Sequence, residues 1–225
     1  MASLLLWNEL GPQFVIESVM AKQQLHILAF DIGGSGLKAV VLDQQACAVQ
    51  QPKRVRTPQP ASTQRVLDAL VGMIVDLPPF DCVSVGFPGV VRAGTIYTAI
   101  NLDPSWQGVC LQQQLQRLLG KPTRVANDAD VQGLGCIHGH GMELVLTLGT
   151  GVGSALFYNG RLIPNLELGH NHFTKNCTYE QLLGKRAMRQ HGHATWQKHL
   201  EQAIHDLQRV FNFDTLYLGG GHAMQ

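Results

Sequence analysis

Two glycine-rich turns, each directly after an apolar run, most constrain what this chain can fold into. The first turn holds Gly33, Gly34 and Gly36, and the second holds Gly149, Gly151 and Gly153. Glycine adopts positive φ and has no Cβ, so such turns let backbone N–H groups approach an anion closely. Asp31 lies just before the first turn. Two turns of this kind predict a phosphate held between two similar lobes, and therefore phosphoryl transfer.

The hydrophobic pattern alternates strands and helices along the chain. Short apolar runs predict strands at 25–30, 37–42, 82–87, 123–126 and 214–218, with a more polar run at 47–57. Apolar residues at helical spacing predict helices after Ser62, at 111–119, near 178–190 and at 195–211. Asn159 and Gly160 predict a two-residue hairpin turn. Strands followed by helices, twice over, predict two α/β lobes with a cleft between them.

The expected domain organisation follows from this order. Residues 1–24 form an N-terminal extension, residues 25–124 an N-terminal lobe with the first turn, and residues 125–225 a C-terminal lobe with the second turn. Met20 directly precedes a short polar stretch and the first strand. Residues 1–19 are therefore either upstream sequence or an ordinary N-terminal helix, and both interpretations stay open.

Composition narrows the class of protein. Lys and Arg number 17 against 16 Asp and Glu, a formal net charge of +1, so no basic excess indicates nucleic-acid binding. No stretch reaches the roughly 20 apolar residues that span a bilayer. The N-terminus lacks a basic region before its short apolar run, so we expect no signal peptide. The five scattered cysteines indicate reduced thiols in a cytoplasmic protein.

Seven segments, in order, resemble the ROK family (repressor, open reading frame, kinase) of sugar kinases in the actin-like ATPase superfamily, most closely its polyphosphate glucokinase-like branch. They are Phe-Asp-Ile-Gly-Gly-Ser-Gly-Leu-Lys at 30–38, Gly-Phe-Pro-Gly at 86–89, Asn-Leu-Asp-Pro-Ser-Trp at 101–106, Val-Ala-Asn-Asp at 125–128, Leu-Gly-Thr-Gly-Val-Gly-Ser at 148–154, Glu-Leu-Gly-His at 167–170 and Leu-Gly-Gly-Gly at 218–221. The resemblance covers residues 25–225. It implies the two-lobed, ribonuclease-H-like α/β fold of that superfamily, with a cleft between the lobes.

Two departures from the family pattern matter. The family's cysteine-rich zinc segment is absent at residues 170–177, as in the polyphosphate-dependent branch. The loose spacing of His170, His172 and Cys177 also disfavours a structural zinc site, so we predict none. Family members continue past the last glycine segment with a further strand and helix, whereas this sequence stops at Gln225. We therefore expect C-terminal elements of the fold to be missing.

Two aspartates are the candidate catalytic residues. Asp128 follows the predicted strand at 123–126, where a carboxylate can face a cleft as a general base or cap the next helix. Asp31 is either a turn residue or a carboxylate that positions Mg²⁺, usually through water, beside substrate phosphates. The residues alone leave both questions open, and the resemblance implies the catalytic base and the metal role.

The resemblance also assigns the phosphoryl donor to the glycine-rich segments. The first phosphate loop would comprise Gly33, Gly34, Ser35 and Lys38, although Lys38 is equally a solvent-facing strand residue. The second would comprise Gly149, Thr150, Gly151 and Gly153. Gly219, Gly220 and Gly221 would approach the adenosine of ATP, or whatever occupies that end of the donor channel.

The sugar is expected to contact a separate set of polar side chains. Glu167 and His170 would fix neighbouring hydroxyls of a pyranose, since a carboxylate accepts and an imidazole donates. Asn101, Asn127 and Asp128 are further predicted contacts. Glu180 matches, with an offset of about one residue, a sugar-binding glutamate of the zinc-bearing relatives.

These assignments predict a glucokinase that uses Mg²⁺ and transfers a phosphoryl group from polyphosphate, ATP or both to the 6-hydroxyl of glucose. The resemblance further implies a homodimer. Two alternatives stay open: a truncated sugar-binding protein without catalysis, and a kinase for another hexose or an N-acetylated amino sugar. A sugar-sensing transcriptional regulator is disfavoured because about 24 residues before the first strand are too few for a DNA-binding unit.

Overall fold

A computed structural model of the chain describes residues 25–221, so the predictions for residues 1–24 and for the last four residues lie outside the described part. The strands are β1 Ile27–Ile32, β2 Gly36–Leu42, β3 Lys53–Arg56, β4 Cys82–Phe87, β5 Val91–Arg92, β6 Thr95–Ile96, β7 Thr123–Asn127, β8 Met142–Leu148, β9 Val152–Tyr158, β10 Arg161–Ile163 and β11 Thr215–Gly219. The helices are α1 Thr63–Met73, α2 Leu111–Leu119, α3 Asp128–Leu134, α4 Tyr179–Leu183, α5 Lys185–His191 and α6 His193–Phe211. None of the helices in this part of the chain is long and apolar enough to cross a membrane.

The first compact unit ends at Gly135 and is built on a five-stranded sheet. The strand order is β3-β2-β1-β4-β7, with β1, β4 and β7 parallel and the β1–β2–β3 meander antiparallel. Every residue of β4 is buried, as its mostly apolar sequence predicts for a central strand. Parallel strands end at one edge of a sheet, so the segments after β1, β4 and β7 lie side by side.

Two amphipathic helices supply the rest of the first unit's core. Helix α1 buries Val66, Leu67, Leu70 and Met73, and α2 buries Leu111 and Leu115. These side chains pack in one cluster with the strands and with Trp106, whose indole N–H donates to the carbonyl oxygen of Ala61 at 2.8 Å. Trp106 is fully buried and therefore anchors the 101–106 segment to this core.

The second compact unit begins at Cys136 and contains a four-stranded sheet of order β10-β9-β8-β11. Strands β8, β9 and β10 form an antiparallel meander, and β11 pairs parallel to β8. The β9–β10 turn at Asn159 and Gly160 has positive φ at both residues, as its sequence predicts. Helices α4, α5 and α6 share one apolar cluster with this sheet.

Two details differ from the sequence-based expectation. The expected division at residues 124/125 falls inside β7, and the compact units divide after Gly135 because β7 is hydrogen-bonded to β4. The region near 178–190 forms two short helices instead of one. Gly184 interrupts it in an extended conformation, where a Cβ would lie 2.7 Å from the carbonyl oxygen of Glu180.

Candidate functional site

The two predicted catalytic carboxylates lie at the same edge of the first unit's sheet. Asp31 is in β1, Asp128 directly follows β7, and β4 runs between those strands. Gly86 of β4 pairs with Asp31 on one side and with Ala126 on the other. A Cβ at Gly86 would lie 3.3 Å from the Cα of Asp128, so the missing side chain lets Asp128 pack close to β4. The topology thus brings together two carboxylates that are far apart in the sequence.

The structure separates the capping role from the catalytic candidate. Asn127 is the N-cap of α3: its side-chain oxygen accepts from the backbone N–H groups of Ala129 at 2.8 Å and Asp130 at 3.1 Å. Its side-chain nitrogen donates to the carbonyl oxygen of Gly89 at 3.1 Å. Asp128 is the first helical residue and is half-buried, and one of its oxygens also accepts from the Ala129 N–H. A sugar contact from the buried Asn127 side chain stays a prediction.

Thr57, a residue that the sequence did not indicate, forms two hydrogen bonds to the first glycine turn. The hydroxyl of Thr57 donates to the carbonyl oxygen of Gly33, and the Thr57 N–H donates to the carbonyl oxygen of Ser35 at 3.3 Å. In a trans peptide the N–H points away from the C=O. Holding these two carbonyls therefore turns the N–H groups of Gly34 and Gly36 away from Thr57. Thr57 itself is buried.

The segment at 101–106 packs against the same turn. A Cβ at Gly34 would lie 2.9 Å from the carbonyl oxygen of Asn101, so glycine is needed for this approach. The side chain of Asp103 accepts from the Ser105 N–H at 2.9 Å, and hydrogen bonds from Ser105 lower the pKa of Asp103. Asn101, a predicted sugar contact, is exposed beside the first turn.

Lys38 does not project alone into solvent, since it forms an ion pair with Asp31. The two residues face each other across β1 and β2, and Lys38 Nζ lies 2.6 Å from Asp31 Oδ2. Their side chains are half and about one-third exposed (50% and 37%). A Mg²⁺ ion usually takes one or two carboxylates and completes its shell with water and substrate phosphates. An accessible Asp31 beside the first turn fits such an ion.

In the second unit, the second glycine turn and the last glycine segment lie at one sheet edge. The turn is closed by a hydrogen bond from the Gly149 N–H to the carbonyl oxygen of Gly151 at 3.0 Å. Gly220 follows β11, which is parallel to β8, and a Cβ on Gly220 would lie 2.3 Å from the carbonyl oxygen of Leu148. The φ of Gly220 is +90°, so both sterics and backbone conformation require glycine. The two predicted donor segments are neighbours.

Glu180 lies against the second glycine turn. A Cβ on Gly151 would be only 2.3 Å from Glu180 Oε2. The N–H of Lys185 donates to the carbonyl oxygen of Gly149 at 2.9 Å, so the α4–α5 junction is fastened to the same turn. The structure therefore places Glu180, predicted as a sugar contact, beside the predicted donor loop.

Glu167 and His170 lie together in a short turn of the second unit. His170 Nδ1 is 3.4 Å from Glu167 Oε2. The turn is anchored by Ser154, whose buried hydroxyl donates to the carbonyl oxygen of Leu166 and accepts from the Leu168 N–H at 3.2 Å. This anchoring places the two predicted sugar residues next to the strand that leaves the second glycine turn.

Residues 170–177, which stand where the family pattern has its zinc segment, form hydrogen bonds with one another. The N–H groups of Phe173 and Thr174 donate to the carbonyl oxygen of Cys177 at 2.9 Å and 3.0 Å. Within residues 25–221, no three His, Cys, Asp or Glu side chains are grouped as metal ligands.

Sequence reasoning missed Thr57 and assigned no role to Ser154 or Gly86. Thr57 precedes a proline at the end of a polar run, and nothing local indicates a hydrogen bond to a residue 24 positions earlier. Ser154 lies at the end of the second glycine motif. A polar side chain on a buried strand indicates that it has hydrogen-bond partners, and this signal was present in the sequence.

Comparison with known proteins identifies the family. The sequence profile of the ROK family matches residues 27–181, and the chain belongs to this family. Polyphosphate glucokinase of Mycobacterium tuberculosis (strain H37Rv) is 31% identical over 221 residues, which cover 94% of this chain and 82% of the relative. N-acetyl-D-glucosamine kinase of Yersinia pestis is 33% identical over 156 residues, covering 64% and 58% of the two chains. These relatives are sugar kinases, which supports phosphotransferase chemistry in this chain.

Solved structures agree with the family and the fold. The inorganic polyphosphate/ATP-glucomannokinase of Arthrobacter sp. strain KM has a TM-score of 0.79 at 32% identity, covering 88% of this chain and 84% of that one. A ROK family glucokinase from Streptomyces griseus, in complex with glucose and AMPPNP, has a TM-score of 0.73 at 20% identity and covers 87% and 83%. The fold is thus the α/β fold of ROK sugar kinases in the actin-like ATPase superfamily.

Proposed function

We propose that this chain is a glucokinase that transfers a phosphoryl group from polyphosphate or ATP to the 6-hydroxyl of glucose. The observation that carries the proposal is the position of Asp128. It follows β7 beside the side-chain-free Gly86 and near Asp31, while Asn127 caps the helix. Asn127 supplies the cap, and we assign the half-buried carboxylate of Asp128 as the proton acceptor. The similarity to polyphosphate glucokinases supports the same chemistry.

In the proposed reaction, Asp128 accepts the proton of the sugar 6-hydroxyl as that oxygen attacks the terminal phosphorus. A P–O bond to the sugar forms and the P–O bond to the rest of the donor breaks, so the products are glucose 6-phosphate and a shortened polyphosphate or ADP. Base catalysis of this kind contributes about 10² to 10⁴-fold in rate. The backbone N–H groups of the glycine turns would stabilise the transferred charge.

Asp31 would hold a Mg²⁺ ion, directly or through water, with Lys38 as its neighbour in the first unit. A bound Mg²⁺ neutralises charge on the donor phosphates. Glu167 and His170 are proposed to fix sugar hydroxyls, because their side chains already lie within 3.4 Å of each other in a turn that Ser154 anchors.

The substitution Asp128→Asn tests the assignment of the base. It keeps the size of the side chain and removes the proton acceptor, so we expect kcat to fall about 10² to 10⁴-fold. Glucose 6-phosphate is measured with ATP and with polyphosphate in the presence of Mg²⁺. Asp68→Asn, at an exposed site on α1, is the matched control and should keep full activity. Equal activity of the unmodified protein and Asp128→Asn would refute the proposed role.

An N-acetylated amino sugar is the second candidate substrate. The specific observation in its favour is the 33% identity to N-acetyl-D-glucosamine kinase over 156 residues. Comparing kcat/KM for glucose and N-acetylglucosamine decides between them, since a site built for one sugar rejects the other by its unpaired polar groups. If kcat/KM is higher for N-acetylglucosamine than for glucose, N-acetylglucosamine becomes the proposed substrate.

A further inference from the structure

Helix α5 carries three exposed cations that form no salt bridge to any residue in the described part of the chain: Lys185, Arg186 and Arg189. Other lysines of this protein do have carboxylate partners, as Lys38 has Asp31 and Lys53 has Asp76. No acidic residue occurs from residue 181 to 200, so this region is locally basic in a chain whose formal net charge is only +1.

The three cations share one face of the helix. Residues three and four apart are neighbours on a helix surface, so Arg189 is adjacent to both Lys185 and Arg186. Ala187 is buried against the core and points the other way. From Lys185 to Arg189 the helix rises about 6 Å. We call the surface formed by Lys185, Arg186 and Arg189 the α5 cation face.

This face begins at the second glycine turn. The backbone N–H of Lys185 is hydrogen-bonded to the carbonyl oxygen of Gly149 at 2.9 Å, and a Cβ on Gly184 would lie 3.1 Å from the carbonyl oxygen of Thr150. The carboxylate of Glu180 lies against the turn at Gly151. The three cations, in a segment without acidic residues from 181 to 200, therefore lie next to the turn from which a chain of phosphates would extend.

We propose that the α5 cation face binds the phosphates of a polyphosphate chain that lie beyond those held by the second glycine turn. The inference rests on the proposed function. A linear polyanion carries evenly repeated charges and gains from successive cations, whereas ATP ends in a nucleoside after three phosphates. Such a face selects long polyphosphate over ATP as the donor, and its contribution falls as salt screens exposed charges.

The test is the triple variant K185Q/R186Q/R189Q, measured with ATP, triphosphate and polyphosphate of several tens of phosphates. Exposed ion pairs contribute little singly, so we expect the KM for long polyphosphate to rise about tenfold for the three together. The KM for ATP and for triphosphate should change less than about twofold, and added salt should abolish the difference for long chains. The variant R117Q/R161Q/R209Q removes three exposed cations elsewhere and is the matched control.

Two outcomes would overturn the proposal: an unchanged KM for long polyphosphate, or equal changes for ATP and polyphosphate. The control variant must also differ from the α5 variant, because an equal effect would mean that net charge alone is responsible. Direct binding of fluorescently labelled polyphosphate to both variants separates this inference from the proposed function. Weaker polyphosphate binding by the α5 variant alone would support the subsite even if no sugar were phosphorylated. Equal polyphosphate binding by the unmodified protein and the α5 variant would refute the subsite.

Discussion

At the scale of single residues, Thr57 orients the first glycine turn through two hydrogen bonds from outside it. Its hydroxyl donates to the carbonyl oxygen of Gly33 and its N–H donates to that of Ser35, so the N–H groups of Gly34 and Gly36 are directed away from Thr57. The arrangement makes Thr57 a positioning residue for any anion that the turn binds. Loss of the hydroxyl would leave the Gly33 carbonyl without this hydrogen bond.

The substitution Thr57→Val keeps the branched shape and removes the hydroxyl. We expect the free energy of unfolding to fall by about 1 kcal/mol, the usual net value of one such hydrogen bond. The KM for the phosphoryl donor should rise several-fold, while the KM for the sugar stays near its original value. Thr57→Ser, which retains the hydroxyl, should restore donor binding. A loss of stability with both KM values unchanged would show that Thr57 acts on stability alone.

At the scale of elements, helix α3 fixes Asp128 through its cap. Asn127 accepts two backbone N–H groups at the start of the helix and donates to Gly89, so one side chain joins β7, α3 and the segment after β4. Helix α1 offers a contrast, since its N-cap Ser62 makes no side-chain capping bond. An alanine substitution therefore removes side-chain capping hydrogen bonds at Asn127 but none at Ser62.

Asn127→Ala should lower the free energy of unfolding by about 1 to 2 kcal/mol, as losses of capping side chains do. We also expect kcat to fall, because Asp128 is then held less firmly at the first helical position. Thermal unfolding and initial rates measure both effects. The matched variant Ser62→Ala should lower the free energy of unfolding by at most a few tenths of a kcal/mol and leave kcat unchanged. Equal effects at both helices would contradict the assignment of Asn127 as the functional cap.

At the scale of the whole molecule, each compact unit has its own apolar cluster and its own buried tryptophan. Trp106 lies in the cluster of the first unit and Trp196 in that of the second. The second unit also contains a buried carboxylate, Glu143, which accepts from Tyr217 and from the backbone N–H groups of residues 138–140. Burial acts to raise the pKa of Glu143, but these hydrogen bonds outweigh it and the pKa is lowered.

A carboxylate whose pKa is lowered by folding stabilises the fold above its unfolded pKa of about 4.3. That contribution is lost as the pH falls through the lower pKa of the folded state. We therefore expect Glu143→Gln to destabilise the second unit by about 2 kcal/mol at pH 7. The difference from the unmodified protein should shrink as the pH falls below the unfolded pKa, and it should vanish once Glu143 is protonated in the folded state at its lower pKa.

Tryptophan fluorescence during urea unfolding locates this effect. Variants that retain only Trp196 or only Trp106 report on one unit each, with Trp7 and the other tryptophan replaced by Phe. Glu143→Gln should lower the midpoint reported by Trp196 and leave the one reported by Trp106 nearly unchanged. An equal shift of both midpoints would show that the two units unfold as one, contrary to this prediction.

The sequence determined most elements because their signals are local. The mostly apolar run at 82–87 and the turn at Asn159 and Gly160 both act within a few residues, and each is found as predicted. The glycine turns carried the family resemblance, and the family is confirmed. The ambiguity between cap and base at residues 127 and 128 was also visible, because either side chain could accept a helix N–H.

Only the tertiary structure decided which groups meet. The hydrogen bond from Thr57 to Gly33, the contact of Glu180 with Gly151 and the approach of Asp128 to Gly86 join residues that no local pattern relates. Strand order fixes the last of these, since β4 lies next to β7 in the sheet although β5 and β6 separate the two strands in the sequence. Local propensity and burial pattern thus specified the elements, and the packing of sheets and turns, which depends on contacts between distant residues, specified the site.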